Sequence, residues 1–246
     1  MARSLASESG QSCDYAALPR LPGLPQYRNN AIITHLFLYL GAVIMAYISP
    51  QIIPSDWNPS FSGHETFVLR GSWLKKAYDL ILNTPSLFSH ENAFVMLGVG
   101  KNMAQSIRHW GKVCTIFERC ADGSGFQPTQ LGHALFADDG WDPFLVTPTS
   151  AWLLHWQIAA RPEGASTWFY TFNLFRSGEW TVEQLCDHLD TWCAEHDWRR
   201  PSGTTVRRDV ECMLQSYSRP TRKQAGAAED GLLCPLSDLD LVHSIG

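Results

Sequence analysis

The chain has 246 residues, 45% of them apolar and 17% charged, with a net charge of −5 at neutral pH. Such a composition excludes a disordered chain and leaves room for one large domain or two small ones. No overall positive charge announces a nucleic-acid partner.

The distribution of charge says more. Residues 199–223 carry Arg199, Arg200, Arg207, Arg208, Arg219, Arg222 and Lys223 against only Asp209 and Glu211. A basic stretch on an acidic body is a footprint for a polyanion, and equally the pattern of a solvated helix face. Seven cysteines with no C-x-x-C pair argue for a reducing compartment, the cytoplasm, and against a disulfide framework.

In chain order, residues 1–57 read as an N-terminal extension. Three Leu-Pro pairs (Leu18-Pro19, Leu21-Pro22, Leu24-Pro25) favour polyproline II and a linker. Residues 31–49 then form one apolar run closed by Pro50, roughly 28 Å long as a helix and close to the thickness of a bilayer. Three readings stand open: an inner-membrane anchor, a hydrophobic helix buried against the body, or a start codon assigned too far upstream. A membrane partner holds only if this run is genuinely translated.

Residues 58–145 read as a winged helix. Ser72–Asn83 carries apolar residues at helical spacing (Trp73, Leu74, Ala77, Tyr78, Ile81, Leu82). A short helix over Ser89–Leu97, with Ser89 as N-cap, is broken by Gly98-Val99-Gly100. Lys101–Lys112 forms a second short helix, with Met103, Ile107 and Trp110 inward and Lys101, Asn102, Gln105, Arg108 and Lys112 outward. Two short helices across a glycine turn are the helix-turn-helix pattern. Val113–Arg119 alternates as a strand, Ala121–Gly125 is a hairpin turn, and Pro128-Thr129 opens a closing helix. The outward set on the second helix is the candidate DNA-reading face. Asp138, Asp139 and Asp142 read as a solvated acidic loop.

Residues 146–221 read as a second helical, helix-turn-helix-like module. Thr149–Ala160 is helical, Thr167–Arg176 is buried and reads as helix with strand as the alternative, and Thr181–Glu195 opens with a Thr181/Gln184 capping box. Thr204–Tyr217 follows, presenting Arg207 and Arg208 as candidate phosphate contacts. Residues 222–246 read as a truncated C-terminal tail.

Familiar catalytic signatures fail. Gly98–Lys101 lacks the remaining Walker positions, neither His64-Glu65 nor His90-Glu91 completes H-E-x-x-H, and no metal-ligand spacing is present. The run Phe61–Lys76 remains. Its His64 and Glu65, close to Arg70, could serve as a general base and a phosphate clamp for phosphodiester chemistry. The structural reading has Glu65 capping a helix or pairing with Arg70, and His64 bonding the backbone.

Several motifs together resemble an uncharacterised, SspB-like prokaryotic family associated with DNA phosphorothioation and phage defence, which includes the DNA-nicking component of Ssp-type systems. They are the FSGHETF…WLKK run (Phe61–Lys76), LGVGKNM with SIRHW (Leu97–Trp110), PTQLGHALF (Pro128–Phe136), GWDPFLVTPTSAWLLHW (Gly140–Trp156), PSGTTVRRDV (Pro201–Val210) and CPLSDLDL (Cys234–Leu241). The resemblance implies DNA and the other components of a modification system as partners. It also implies nicking as an enzymatic extension, with His64, Glu65 and Arg70 as the candidate residues and a divalent metal as the candidate cofactor if the chain nicks DNA; no cofactor is otherwise assigned.

The expectation is therefore a mainly α protein, a winged helix-turn-helix followed by a second helical module, that binds DNA for modification or defence. The competing class is a membrane-tethered protein-interaction adaptor without catalysis. A homodimer is compatible with either.

Overall fold

The computed structural model describes residues 57–218 and 234–243. The apolar run 31–49, and with it the membrane reading, lies outside these residues, as do Arg219, Arg222 and Lys223. Among the described residues no helix is long and apolar enough to cross a membrane. The architecture is mainly helical, eight α-helices and one two-stranded sheet among the described residues.

Helix α1 (Gly71–Asn83) forms where the apolar period predicts it and buries Trp73, Leu74, Ala77, Tyr78 and Ile81. It ends before Pro85, whose ring disfavours a helical preceding residue. A 3-10 turn (Leu87–Ser89) and a one-turn helix α2 (Ala93–Met96) follow. This corrects the predicted Ser89–Leu97 helix. Asn92, not Ser89, stands at the N-cap, without a side-chain capping bond. The cause is the burial pattern: Leu87, Ala93 and Leu97 point inward, and the six-residue step from 87 to 93 does not suit a helical stripe.

Helix α3 (Lys101–Val113) buries Ala104, Ser106, Ile107, Trp110, Gly111 and Val113. The helix runs to Val113, so the predicted strand start is too early: β1 is only Phe117–Arg119. Between them Ile116 N–H donates to the Gly111 carbonyl (2.8 Å) and Thr115 takes a left-handed φ of 57°. The Phe117 ring lies so close over Gly111 that a Cβ there would overlap it. β1 pairs antiparallel with β2 (Phe126–Pro128), Phe117 opposite Pro128 and Arg119 opposite Phe126. The hairpin is tied back to the α1–α2 connection, where Phe126 N–H donates to the Pro85 carbonyl at 2.8 Å. Thr129 caps helix α4 (Gln130–Phe136), accepting from Gly132 N–H at 3.0 Å.

The acidic loop is not a solvated linker throughout. Asp142 is 4% exposed and accepts from Val146 N–H, Thr147 N–H, Thr147 Oγ1 and Ser150 Oγ at 2.7–2.9 Å. It organises the entry to helix α5 (Pro148–Ala159). Burial pushes its carboxyl up, but the bonds from Thr147, Ser150 and Val146 outweigh that and hold it below the usual range.

Helix α6 (Ser166–Asn173) settles residues 167–173 as helical. Helix α7 (Val182–Glu195) carries the predicted Thr181/Gln184 capping box, and α8 (Gly203–Tyr217) is capped by Ser202. α7 packs on α8, and the 3-10 turn Pro235–Leu239 packs on α5 and α8 with Leu236 fully buried. The two helical sets share core contacts. Trp110 of α3 meets Trp168 of α6 edge to face at 5.4 Å, and Thr115 Oγ1 donates to Gln157 Oε1 at 2.8 Å.

Candidate functional site

The outer face of α3 gathers five of the residues singled out by sequence. Lys101, Asn102, Gln105, Arg108 and Lys112 are all exposed while Ile107 and Trp110 fill the core behind them. None of the five makes a side-chain hydrogen bond or ion pair with another described residue. Gly100 precedes the helix without a side-chain cap, so its first-turn amides face outward unpartnered by a side chain. A cleft of about 600 Å³ lies along this face, lined by Phe88, Asn92, Phe94, Lys101, Gln105 and Arg108 among others.

The two candidate arginines of α8 differ. Arg208 is exposed with no ion pair to a described residue. Arg207 is committed: its guanidinium contacts Glu183 on α7 at 2.6 Å and Glu211 at 3.7 Å. The neighbouring Arg200 is likewise paired, with Asp190.

The loop 61–67 has a different character. His64 is 2% exposed. Its Nδ1 accepts from Thr66 N–H at 3.1 Å, which leaves the proton on Nε2, and Nε2 donates to Asp209 Oδ1 at 2.7 Å. Asp209, 1% exposed, also accepts from Ser62 N–H and Thr167 Oγ1, each at 2.6 Å. In this arrangement neither ring nitrogen of His64 is free to take a proton from an external group. The ring is stacked on Trp110 (5.9 Å, 17°) and meets Trp168 and His109 edge on. Glu65 is half-buried and forms neither a capping bond nor an ion pair with Arg70, whose guanidinium instead lies 5.0 Å from the Trp73 ring centroid. Ser62, Glu65 and Thr66 all take left-handed φ angles (63°, 50° and 66°), each costing about 1 kcal/mol or more. Gly63 presses against His109 so closely that a Cβ would overlap its ring. Burial, with His64 nearby, pushes the His109 imidazole down to about 3.

A family model described as "Protein of unknown function (DUF4007)" matches residues 61–246. The chain belongs to the DUF4007 family. Two solved structures are similar to this DUF4007 chain. One is a magnesium ion-bound SspB crystal structure, 31% identical, with a TM-score of 0.65, covering 73% of this chain and 55% of the SspB chain. The other is an SspB crystal structure, 32% identical, also with a TM-score of 0.65, covering 74% and 56%. The DUF4007 chain thus spans a little over half the length of the SspB chains it matches. No curated protein matches it.

Among the described residues of the DUF4007 chain, no group of three or more His, Cys, Asp or Glu side chains is placed to hold a metal ion. Sequence reasoning missed Asp209, Thr167 and His109 as the partners of the His64 loop. One signal existed: Asp209 lies at helical spacing from Val206 and Met213 on the buried stripe of α8, where a lone carboxylate demands a partner.

Proposed function

We propose that this DUF4007 chain is a DNA-binding protein of a phosphorothioation-type DNA-modification and phage-defence system. The observation that carries the reading is the outer face of α3, where Lys101, Asn102, Gln105, Arg108 and Lys112 are exposed together and unpaired with other described residues. Cations left without intramolecular partners are available to phosphates, and Asn and Gln beside them suit base edges. The surrounding order supports a winged helix. α1, α2 and α3 are followed by the β1–β2 hairpin, and the Pro85–Phe126 backbone bond stands where a first strand would pair with the wing. In this reading α3 enters the major groove, Arg119 and the 121–125 turn approach the backbone, and Arg208 adds a phosphate contact. The similarity to SspB supports the modification system and its other components as partners. The six described cysteines are all unpaired, which supports a cytoplasmic site of action.

The test is salt-dependent binding of the chain to a short duplex. The affinity falls linearly with log salt if phosphates are contacted. An interaction that is absent, or insensitive to salt, removes the reading.

Nicking is the enzymatic extension, with His64, Glu65 and Arg70 as its candidates. Because both His64 ring nitrogens are engaged, half-buried Glu65 is the informative position. Conversion of supercoiled plasmid to open circle with magnesium, lost in Glu65→Ala, supports the extension; nicking retained in that variant removes Glu65 from it.

The interaction-adaptor reading has one observation of its own. Trp141, Phe144, Val146 and Trp152 are all exposed within twelve positions, Phe144 and Val146 at 79% each. Exposed large apolar side chains so close in sequence suit a protein partner, which is compatible with DNA binding by α3.

A further inference from the structure

The cleft beside α3 has a composition that duplex reading alone does not call for. Its cationic edge is Lys101 and Arg108, its amide-bearing group is Gln105, and its floor carries Phe88 and Phe94. Both rings are half-buried, each presenting part of its surface to the cleft. Phe88 is fixed from behind by Phe117 and Phe126, each 5.6 Å away centroid to centroid. Phe94 has no aromatic partner among the described residues. A paired, stacked duplex shows base edges and phosphates to a protein, not π faces. Aromatic rings beside cations are instead the chemistry of an unpaired nucleotide, with its base on the ring and its phosphate on the cation. The volume, about 600 Å³, falls in the range of sites that enclose a small organic ligand.

We infer that the cleft between α2 and α3 takes an unpaired nucleotide of a DNA strand, its base against Phe94 and its phosphate at Lys101 and Arg108. Glu91, also on the lining, can accept from the exocyclic amine of cytosine or adenine and repels the carbonyl oxygens of thymine. The cleft therefore prefers amino-bearing bases. This inference rests on α3 being the DNA-contact face, and it names the state of DNA that the face selects.

The experiment is fluorescence anisotropy of the full 246-residue chain with three short duplexes of one sequence: fully paired, carrying one extrahelical dC, and carrying an abasic residue at the bulge. The bulged dC duplex is expected to bind roughly 5- to 150-fold tighter than the paired one, the range expected for one stacked base. The abasic bulge loses that gain. Phe94→Ala brings the bulged duplex down to the paired level, and Phe94→Trp, which keeps a stacking face, restores the preference. A bulged dT binds more weakly than a bulged dC. Equal affinity for bulged and paired duplexes overturns this inference while leaving DNA binding by α3 intact. No binding to any of the three overturns both. A bulge preference that survives in Phe94→Ala and Phe94→Leu places the site elsewhere and overturns the assignment. Displacement of the bulged duplex by free dCMP at comparable concentration assigns the cleft to a free nucleotide and overturns the strand reading.

Discussion

His64 Nε2 and Asp209 Oδ1 lie 2.7 Å apart with both side chains only 2% exposed, joining residues 145 positions apart. The bond ties the loop 61–67 to the middle of α8, and the same carboxylate holds Ser62 N–H and Thr167 Oγ1.

Removing that carboxylate strands three donors at once, those of His64 and Thr167 buried and that of Ser62 part-buried. Asp209→Ala is expected to destabilise the fold by about 3–5 kcal/mol, since each donor left without an acceptor away from water costs about 1–3 kcal/mol. Asp209→Asn keeps acceptor capacity and costs less, about 1–3 kcal/mol. Urea unfolding measures both, and a loss below about 1 kcal/mol in Asp209→Ala would show that the network contributes little.

Gly63→Ala places a methyl into the ring of His109, which is itself flanked by the rings of His64 and Trp110. The left-handed residues on either side leave the loop little slack. A loss of about 1–3 kcal/mol is expected, the usual cost of overpacking a filled site. A thermal midpoint unchanged from the parent chain would contradict the close packing.

Much of this was readable before the structure, and the failures have a common cause. The helices at 71–83, 101–113, 182–195 and 203–217 follow apolar period, the last two with side-chain caps as well, and both signals are local. Asp142 read as solvated because Asp138 and Asp139 stand beside it; its burial comes from the chain folding back through left-handed Leu145 onto the α5 entry. Asp209 read as part of a basic surface because Arg207 and Arg208 precede it, although its helical phase puts it inside. The strand predicted from Val113 failed because Trp110 and Val113 share the inner face of α3, and that packing extends the helix past the β-branched pattern. The exposed face of α3 was legible from period alone, while the His64 partnership was not, since no local pattern encodes a contact at that separation.

The proposed DNA-contact face of α3 makes a graded prediction. Lys101→Ala and Arg108→Ala should each weaken duplex binding and reduce the slope of log affinity against log salt by about one. Arg207→Ala should leave the slope nearly unchanged, because its guanidinium is held by Glu183 and Glu211. Its exposed, solvent-screened pairs contribute little to stability. A larger slope change in Arg207→Ala than in Arg108→Ala would move the contact surface from α3 to α8.

Acid should destabilise the fold through two histidines, buried His155 and half-buried His109. Burial pushes His155 down to about 4 and, with His64, His109 down to about 3. Both are neutral in the fold, whereas in the unfolded chain they take up protons near pH 6.5. Their contribution is complete above pH 6.5 and falls as pH drops towards each folded value, by up to about 1.4 kcal/mol per pH unit for each histidine. Asp142, held below its ordinary range, adds a further loss as pH falls through its folded value. Unfolding free energy measured from pH 7 to 4 should therefore decline, and His155→Gln should flatten the decline. An unchanged slope in that variant would show that His155 is hydrated in the fold.

Helix α3 is worked from both sides. Its outer side chains are exposed, while Trp110 Nε1–H donates to the Phe67 carbonyl and His109 abuts Gly63 on the inside. Each residue of an α-helix turns the chain by about 100°. One residue inserted or deleted between Asn102 and His109 would therefore swing the cations out of register with their anchors. The outer side chains are free to change and so to acquire new preferences, but the number of residues between them is not. In this segment sequence drift can proceed by substitution and is closed to change in length.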